Sequence, residues 1–193
     1  MTLVHVEFNT IITGLGMMCV TVQGMTGLWA AYGQGKPALL KTDPVVSRAH
    51  RTFGAFATCL YLLGLFAGLV GLFGALTIGK PPLELESASF NIHTWGSFPA
   101  LLFIAWKTWL SYFNKPALYR TRLWLGPAAL ASWIFTWITA AISYYLRTQP
   151  DNLQHPPPVF LLPYEWMWLQ LSLPFALGGL IGWLALRKAK AGM

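Results

Sequence analysis

Three of the four histidines of this chain stand at or just before the start of an apolar stretch. His5 precedes the first stretch, His50 opens the second in the segment SRAHRTFGAF, and His93 opens the third in NIHTWG. Neutral imidazole is a ligand of haem iron and of several other transition metals. These residues therefore suggest metal or haem ligation, and the chemistry depends on which histidines lie at the same depth.

The composition indicates which elements must position these histidines. Of the 193 residues, 55% are hydrophobic and only 10% are charged, and the mean hydropathy is +0.52. A helix of about 20 apolar residues crosses a bilayer core of roughly 30 Å. Five stretches of that length lie at about residues 8–33, 49–77, 92–113, 123–146 and 163–186. We therefore predict an all-α integral membrane protein, with residues 1–193 forming a single bundle of five transmembrane helices.

The positions of the basic residues predict how the bundle is inserted. The chain carries 13 Lys and Arg against 6 Asp and Glu, a formal net charge of +7. The segments expected on one side contain Lys36, Lys41, Arg48, Arg51, Lys115, Arg120, Arg122, Arg187, Lys188 and Lys190, whereas those on the other side contain Lys80 and Arg147. By the positive-inside rule, the N-terminus is outside and the C-terminus is cytoplasmic. Topology thus explains the basic excess, and no nucleic-acid partner is expected.

Depth decides which histidines can share one iron. His50 begins a helix on the inner side and His93 begins one on the outer side, so most of the membrane separates them at a rise of about 1.5 Å per residue. They cannot be the two axial ligands of one haem. His5 lies on the same side as His93, and these two are predicted to bind one haem b iron from opposite faces of the porphyrin.

Other ligand sets remain open on each side. A bare metal site on the outer side would draw on His5, His93, His155 and Glu165, although these residues have no fixed ligand spacing. The inner side offers no second histidine for His50, and Met25 is the one conventional haem ligand at a comparable depth. A second, inner haem would therefore be five-coordinate or unusually ligated. The two cysteines form no CxxC or CxxCH motif, which leaves covalent c-type haem unsupported.

Small residues accompany His50 and His93 at helical spacing. The stripe that His50 heads contains Gly54, Ala57, Tyr61, Gly64, Gly68, Gly71 and Ala75. Such a stripe accommodates either a second helix or a flat cofactor at close range. Arg48 and Arg51 beside His50 suit haem propionates or lipid phosphates. His93 shares its face with Gly96 and Lys107, and Lys107 is either a functional residue or a cation that reaches the interface.

The order of these motifs resembles a known group of proteins. The motifs are His5, HRTFG from His50 to Gly54, the glycine-rich run from Gly64 to Gly74, the pair Gly79 and Lys80, and HTWG from His93 to Gly96. Over roughly residues 4–146 the chain resembles a family of small multi-helix membrane proteins of cyanobacteria and other phototrophs. The histidine pattern of that family is similar to the pattern of cytochrome b561 and the ferric reductases.

The resemblance implies a ligand scheme for this chain. It pairs the outer histidines, His5 and His93, across one haem. It would pair His50 with a histidine at the start of the fourth helix, but the segment from Arg122 to Leu130 reads RLWLGPAAL and contains none. One haem is therefore expected, and a second haem lacks its second histidine. The resemblance also implies a location in a bacterial inner membrane or a thylakoid.

Two functions from different classes fit these residues. The first is a b-type haem electron-transfer protein, a component of a membrane oxidoreductase that exchanges electrons with a quinone or another redox partner. In it Gly96 gives the porphyrin room beside His93, while Arg48, Arg51 and Gly54 serve a group at His50. The second is a non-catalytic accessory subunit of a photosynthetic or respiratory complex, which binds lipid, pigment or other membrane subunits.

Overall fold

In a computed structural model, the chain folds into helices connected by segments of varying length. The structure describes residues 8–32, 44–79, 88–147 and 166–191. The helices are α1 (Phe8–Tyr32), α2 (Pro44–Thr77), α3 (Ala88–Phe113), α4 (Lys115–Arg147) and α5 (Met167–Ala191). No strand occurs within these described ranges. The predicted all-α fold class is confirmed.

Two helices begin before the stretches predicted from the sequence, at residue 44 instead of about 49 and at residue 115 instead of about 123. α2 begins at Pro44, because proline at the first position of a helix has no amide hydrogen to lose and already has a helical φ. α4 begins directly after Asn114, whose side-chain Oδ1 accepts a hydrogen bond from the Ala117 amide at 3.1 Å. This bond satisfies one of the free amides at the helix N-terminus. Capping chemistry, rather than hydrophobicity, therefore sets both starts.

Four helices are long and apolar enough to cross a membrane. Their apolar spans are Ile11–Tyr32, Pro44–Gly74, Lys115–Ile142 and Trp168–Ala189. α3 is not among these four, and it carries His93, Ser97 and Lys107 between its apolar residues. The chain is thus a helical protein with the features of a membrane protein, and the crossing by α3 stays a prediction.

α1 lies at the centre of the helical packing. It contacts α2, α4 and α5, whereas α3 packs mainly along α4. The shared core contains Met17, Cys19, Val20, Ala57, Tyr61, Ile104, Trp133 and Trp137. The Tyr61 and Trp133 rings meet edge to face, with centroids 4.8 Å apart. Residues of α1, α2, α3 and α4 therefore form one continuous apolar core.

α1 and α5 approach each other closely at Gly178. A Cβ atom on Gly178 would lie 2.5 Å from the Met18 carbonyl oxygen and 2.7 Å from Thr21 Cβ. Both distances are too short for any side chain, so only glycine allows the two backbones to lie at this separation. Close approach at small residues is a common way for apolar helices to pack within lipid, where burial gives no hydrophobic gain.

Candidate functional site

His50 lies between α2 and α1, and its hydrogen bonds fix its tautomer. Its Nδ1 is 3.1 Å from the Gln23 carbonyl oxygen and 3.2 Å from the Thr26 hydroxyl. The Thr26 hydroxyl donates to the Val22 carbonyl at 2.8 Å. Because a carbonyl oxygen only accepts, Nδ1 of His50 must carry the hydrogen and donate it. The lone pair of the neutral imidazole is therefore on Nε2, the arrangement found in histidines that ligate through Nε2.

The close approach of α1 and α2 depends on two glycines. The His50 ring packs over Gly27, with Cε1 2.9 Å from the position that a Cβ would take. The side-chain amide of Gln23 packs in the same way over Gly54. The space beside both glycines is thus filled by residues of the chain itself. Arg48 and Arg51, on the same helix as His50, are exposed.

We expect Gly54→Ala to loosen the contact between α1 and α2. The added methyl group would displace the Gln23 amide, and overpacking of this kind costs about 1 kcal/mol when the neighbour is a flexible side chain. The measurement is the free energy of unfolding of the purified protein in detergent. Gly68→Ala is the matched control, because it lies on the same helix and no described atom is within 4 Å of its Cβ position. Equal destabilisation by the two changes would show that helix propensity, and not Gln23, is responsible.

His93 is held in a corresponding way between α3 and α4. Its Nδ1 is 3.1 Å from the Thr139 hydroxyl, which itself donates to the Phe135 carbonyl at 2.8 Å. When the Thr139 hydroxyl donates to Phe135, its oxygen accepts from Nδ1–H, which places the lone pair of the neutral ring on Nε2. The Ser97 hydroxyl donates to the His93 carbonyl at 2.5 Å, one turn further along α3.

Gly96 has a neighbour that the sequence does not suggest. The Phe135 ring of α4 lies directly over it, with Cζ 2.6 Å from the position of a Cβ. Gly96 therefore lets α3 and α4 approach each other, and an aromatic side chain of the protein fills the space beside it.

The two histidines belong to separate sites. His50 packs over Gly27 of α1. His93 bonds to Thr139 of α4, two residues from Trp137, which lies 3.8 Å from the Cβ position of Gly14 on α1. Thirteen residues of α1 separate Gly27 from Gly14, a rise of about 20 Å. Between these two levels the Tyr61 hydroxyl donates to the Ser97 carbonyl at 3.4 Å, so α2 and α3 are antiparallel.

Space among the described residues lies beside α2 about one turn beyond the depth of His93. One turn beyond Tyr61 on α2 is Gly64, whose Cβ position is 3.8 Å from Thr13. At Gly68, a further turn along, no described atom is within 4 Å. Since Tyr61 meets Ser97 and His93 is one turn from Ser97, Thr13 covers α2 at the level of His93, and the uncovered part of its small-residue face begins about one turn further on.

The remaining ligand candidates are dispersed or fall outside the described residues. Met25 packs against α5, with Sδ 3.0 Å from the Cβ position of Gly182. His5, His155 and Glu165 lie outside the described residues. Within the described part of the chain, no three His, Cys, Asp or Glu side chains come together as a metal site. Cys19 is buried and Cys59 is exposed, and both are free thiols.

The sequence did not identify the partners that orient each imidazole. Gln23, Thr26 and Thr139 each lie on a different helix from the histidine that they contact, and they match no motif. A threonine in an apolar helix usually bonds to its own backbone, as Thr26 and Thr139 also do. The one sequence signal for such a partner is a polar residue that occurs at helical spacing on a core-facing stripe.

No family model, curated protein or solved structure matches this chain. Its class rests on its own features: an all-α protein, four helices able to cross a membrane, and two imidazoles, each fixed through Nδ1.

Proposed function

We propose that this chain is a b-type haem membrane protein that transfers electrons. The observation that carries the proposal is His93, whose Nδ1 is 3.1 Å from the Thr139 hydroxyl, with no described atom within 4 Å of the Cβ position of Gly68 about one turn further along on α2. Metal-ligating histidines are commonly held in this way through the ring nitrogen that does not bind the metal. His5, which precedes α1 on the same side, is the proposed second axial ligand.

Near His93, the described residues exclude a haem beside Gly96 but not beside Gly68 of α2. Phe135 covers Gly96, so a flat group would not lie there. On α2, Thr13 lies 3.8 Å from the Cβ position of Gly64, whereas no described atom is within 4 Å of that of Gly68. When bound, haem supplies one-electron transfer through its iron, and the protein sets the potential by ligand identity, hydrogen bonding and burial. Thr139 holds the His93 ring, and the apolar core keeps water away.

The proposed insertion places the N-terminus outside and the C-terminus in the cytoplasm of a bacterial inner membrane or a thylakoid. The excess of Lys and Arg in the segments at one end of the helices supports it. In this orientation His93 is near the outer face and His50 near the inner face. A quinone dissolved in the bilayer is the proposed electron partner, since it can reach a site between helices from the lipid.

A second candidate function rests on the outward surface of α2. Phe66 is 67% exposed and Phe73 is 61% exposed, and Leu62 and Val70 at helical spacing on the same helix are also exposed. This apolar surface suits lipid, a pigment or another subunit of a membrane complex. It favours an accessory role if the chain carries no haem of its own.

An absorption spectrum separates the two functions. The protein purified with its native cofactors is expected to show sharp α and β bands after reduction with dithionite, typical of a low-spin haem with two histidine ligands. The pyridine haemochrome assay is expected to give about one haem per chain. A fully loaded preparation that contains pigment or lipid and lacks these bands would support the accessory role and overturn the electron-transfer function.

A further inference from the structure

The core-facing stripes of α3 and α4 both end in a cation on the same side of the bundle. On α3, Lys107 continues the stripe that contains buried Ala100 and Ile104, at steps of four and three residues. On α4, Arg122 begins the stripe that continues with buried Leu125 and Ala129. The rings of Trp106 and Trp124 contact each other, with centroids 5.3 Å apart, so the two cations lie at similar depths.

Neither cation has a counter-charge within the described part of the chain. Nε of Arg122 is buried and has no hydrogen-bond partner there. Lys107 forms no described ion pair, and no described residue is acidic. The six acidic residues are Glu7, Asp43, Glu84, Glu86, Asp151 and Glu165, all outside the described ranges. A partly buried cation that lacks an acceptor is costly, and such residues within membrane helices mark functional sites by default.

The depth of the two cations is close to that of lipid headgroups. Lys107 lies seven and Arg122 eight residues from Asn114, which joins α3 to α4, and that is about 10–12 Å along the helix axis. The polar headgroup region adds roughly 5–8 Å on each side of the hydrocarbon core. A phosphate at the edge of the inner leaflet can therefore reach between the two helices.

From this arrangement we infer that the inner ends of α3 and α4 bind a phosphate group through Lys107 and Arg122. The planar Arg122 guanidinium and the Lys107 ammonium both donate charged hydrogen bonds, and phosphate supplies several acceptor oxygens. His50 does not compete as a donor, because its Nδ1–H is already bonded to Gln23 and its Nε2 carries a lone pair. Basic pockets between helices on the cytoplasmic side are typical sites for anionic lipid headgroups.

The phosphate comes either from an anionic phospholipid or from solution, and the same titration distinguishes the two sources. Delipidated protein in detergent is titrated with phosphatidylglycerol and, separately, with inorganic phosphate, and binding is followed by native mass spectrometry and by the shift in Tm. Saturable binding of phosphatidylglycerol identifies a lipid site. Saturable binding of inorganic phosphate at comparable concentration identifies a site for the free anion.

Three variants and one matched control test the assignment to these two residues. Lys107→Gln and Arg122→Gln are each expected to weaken binding about tenfold or more, since a charged hydrogen bond is lost. Lys107→Arg keeps the charge and is expected to retain binding. Arg120→Gln removes the same charge from an exposed position two residues from Arg122 and is expected to have little effect.

Two results would overturn the phosphate site. One is equal weakening by Arg120→Gln and Arg122→Gln, which would indicate unspecific attraction to a basic surface. The other is the absence of saturable binding of either phosphate source to the unaltered protein. The readout does not involve haem, so this proposal and the haem function fail independently.

Discussion

His93→Ala is expected to remove the low-spin haem spectrum of the purified protein, whereas His50→Ala leaves that spectrum intact. The reason is depth, since about 20 Å along α1 separates the level of His50 from the level of His93. An iron at His93 therefore takes no ligand from the inner side. His5→Ala is expected to match His93→Ala, because the two histidines are proposed as a pair on one iron. The measurement is the reduced-minus-oxidised spectrum, with haem quantified per chain.

Thr139→Val distinguishes the ligand from the residue that orients it. Valine keeps the shape of threonine but cannot accept the hydrogen bond from His93 Nδ1. Haem is expected to remain bound, while its reduction potential and electron paramagnetic resonance signature shift. Circular dichroism and Tm establish that each variant is folded. Equal loss of haem in His50→Ala and His93→Ala, with helicity intact, would contradict the ligand pairing.

Gly178→Ala is expected to destabilise the bundle by about 1–3 kcal/mol or more, the range found for overpacked cores. The obstacle is the Met18 carbonyl oxygen, which belongs to the backbone of α1 and cannot rotate away from a new methyl group. The whole of α5 would have to move outward, taking its contacts with Thr21 and Met25 with it. The measurement is Tm, or the midpoint of unfolding by a denaturing detergent, for the purified protein.

Gly179→Ala supplies the control for that change. It introduces the same methyl group into the same helix at the next residue, where no described atom lies within 4 Å of the Cβ position. Alanine is the better helix former, so this variant is expected to be as stable as the original protein or slightly more stable. If Gly178→Ala and Gly179→Ala have the same Tm, the tight approach of α1 and α5 does not exist in solution.

The sequence was sufficient to predict which parts of the chain are helical. Long apolar stretches separated by polar segments predicted five helices, and the structure has a helix at each. The differences lie at the ends, where α2 begins at Pro44 and α4 begins after Asn114, both earlier than the predicted stretches. Hydrophobicity is a property summed over many residues, so it locates a helix well and places its ends poorly.

The candidate sites were only partly visible in the sequence. It picked out His50 and His93, because histidine is unusual in an apolar stretch, and it separated them by depth. It did not reveal that Gln23 and Thr139 orient them, nor that Phe135 covers Gly96. Those contacts join residues of different helices, and helical periodicity within one segment carries no information about its register against another.

The sequence by itself thus determined the position of the helices and the charge distribution, because these follow from local composition. Only the tertiary structure decided how each small-residue face is used. Gly54 and Gly178 lie under α1, while no described atom is within 4 Å of the Cβ position of Gly68, on the same face of α2 as Gly54. A glycine in a helix can lie against a second helix, a ligand or empty space. Its neighbour depends on which helix packs there, and that is not encoded in the glycine's own segment.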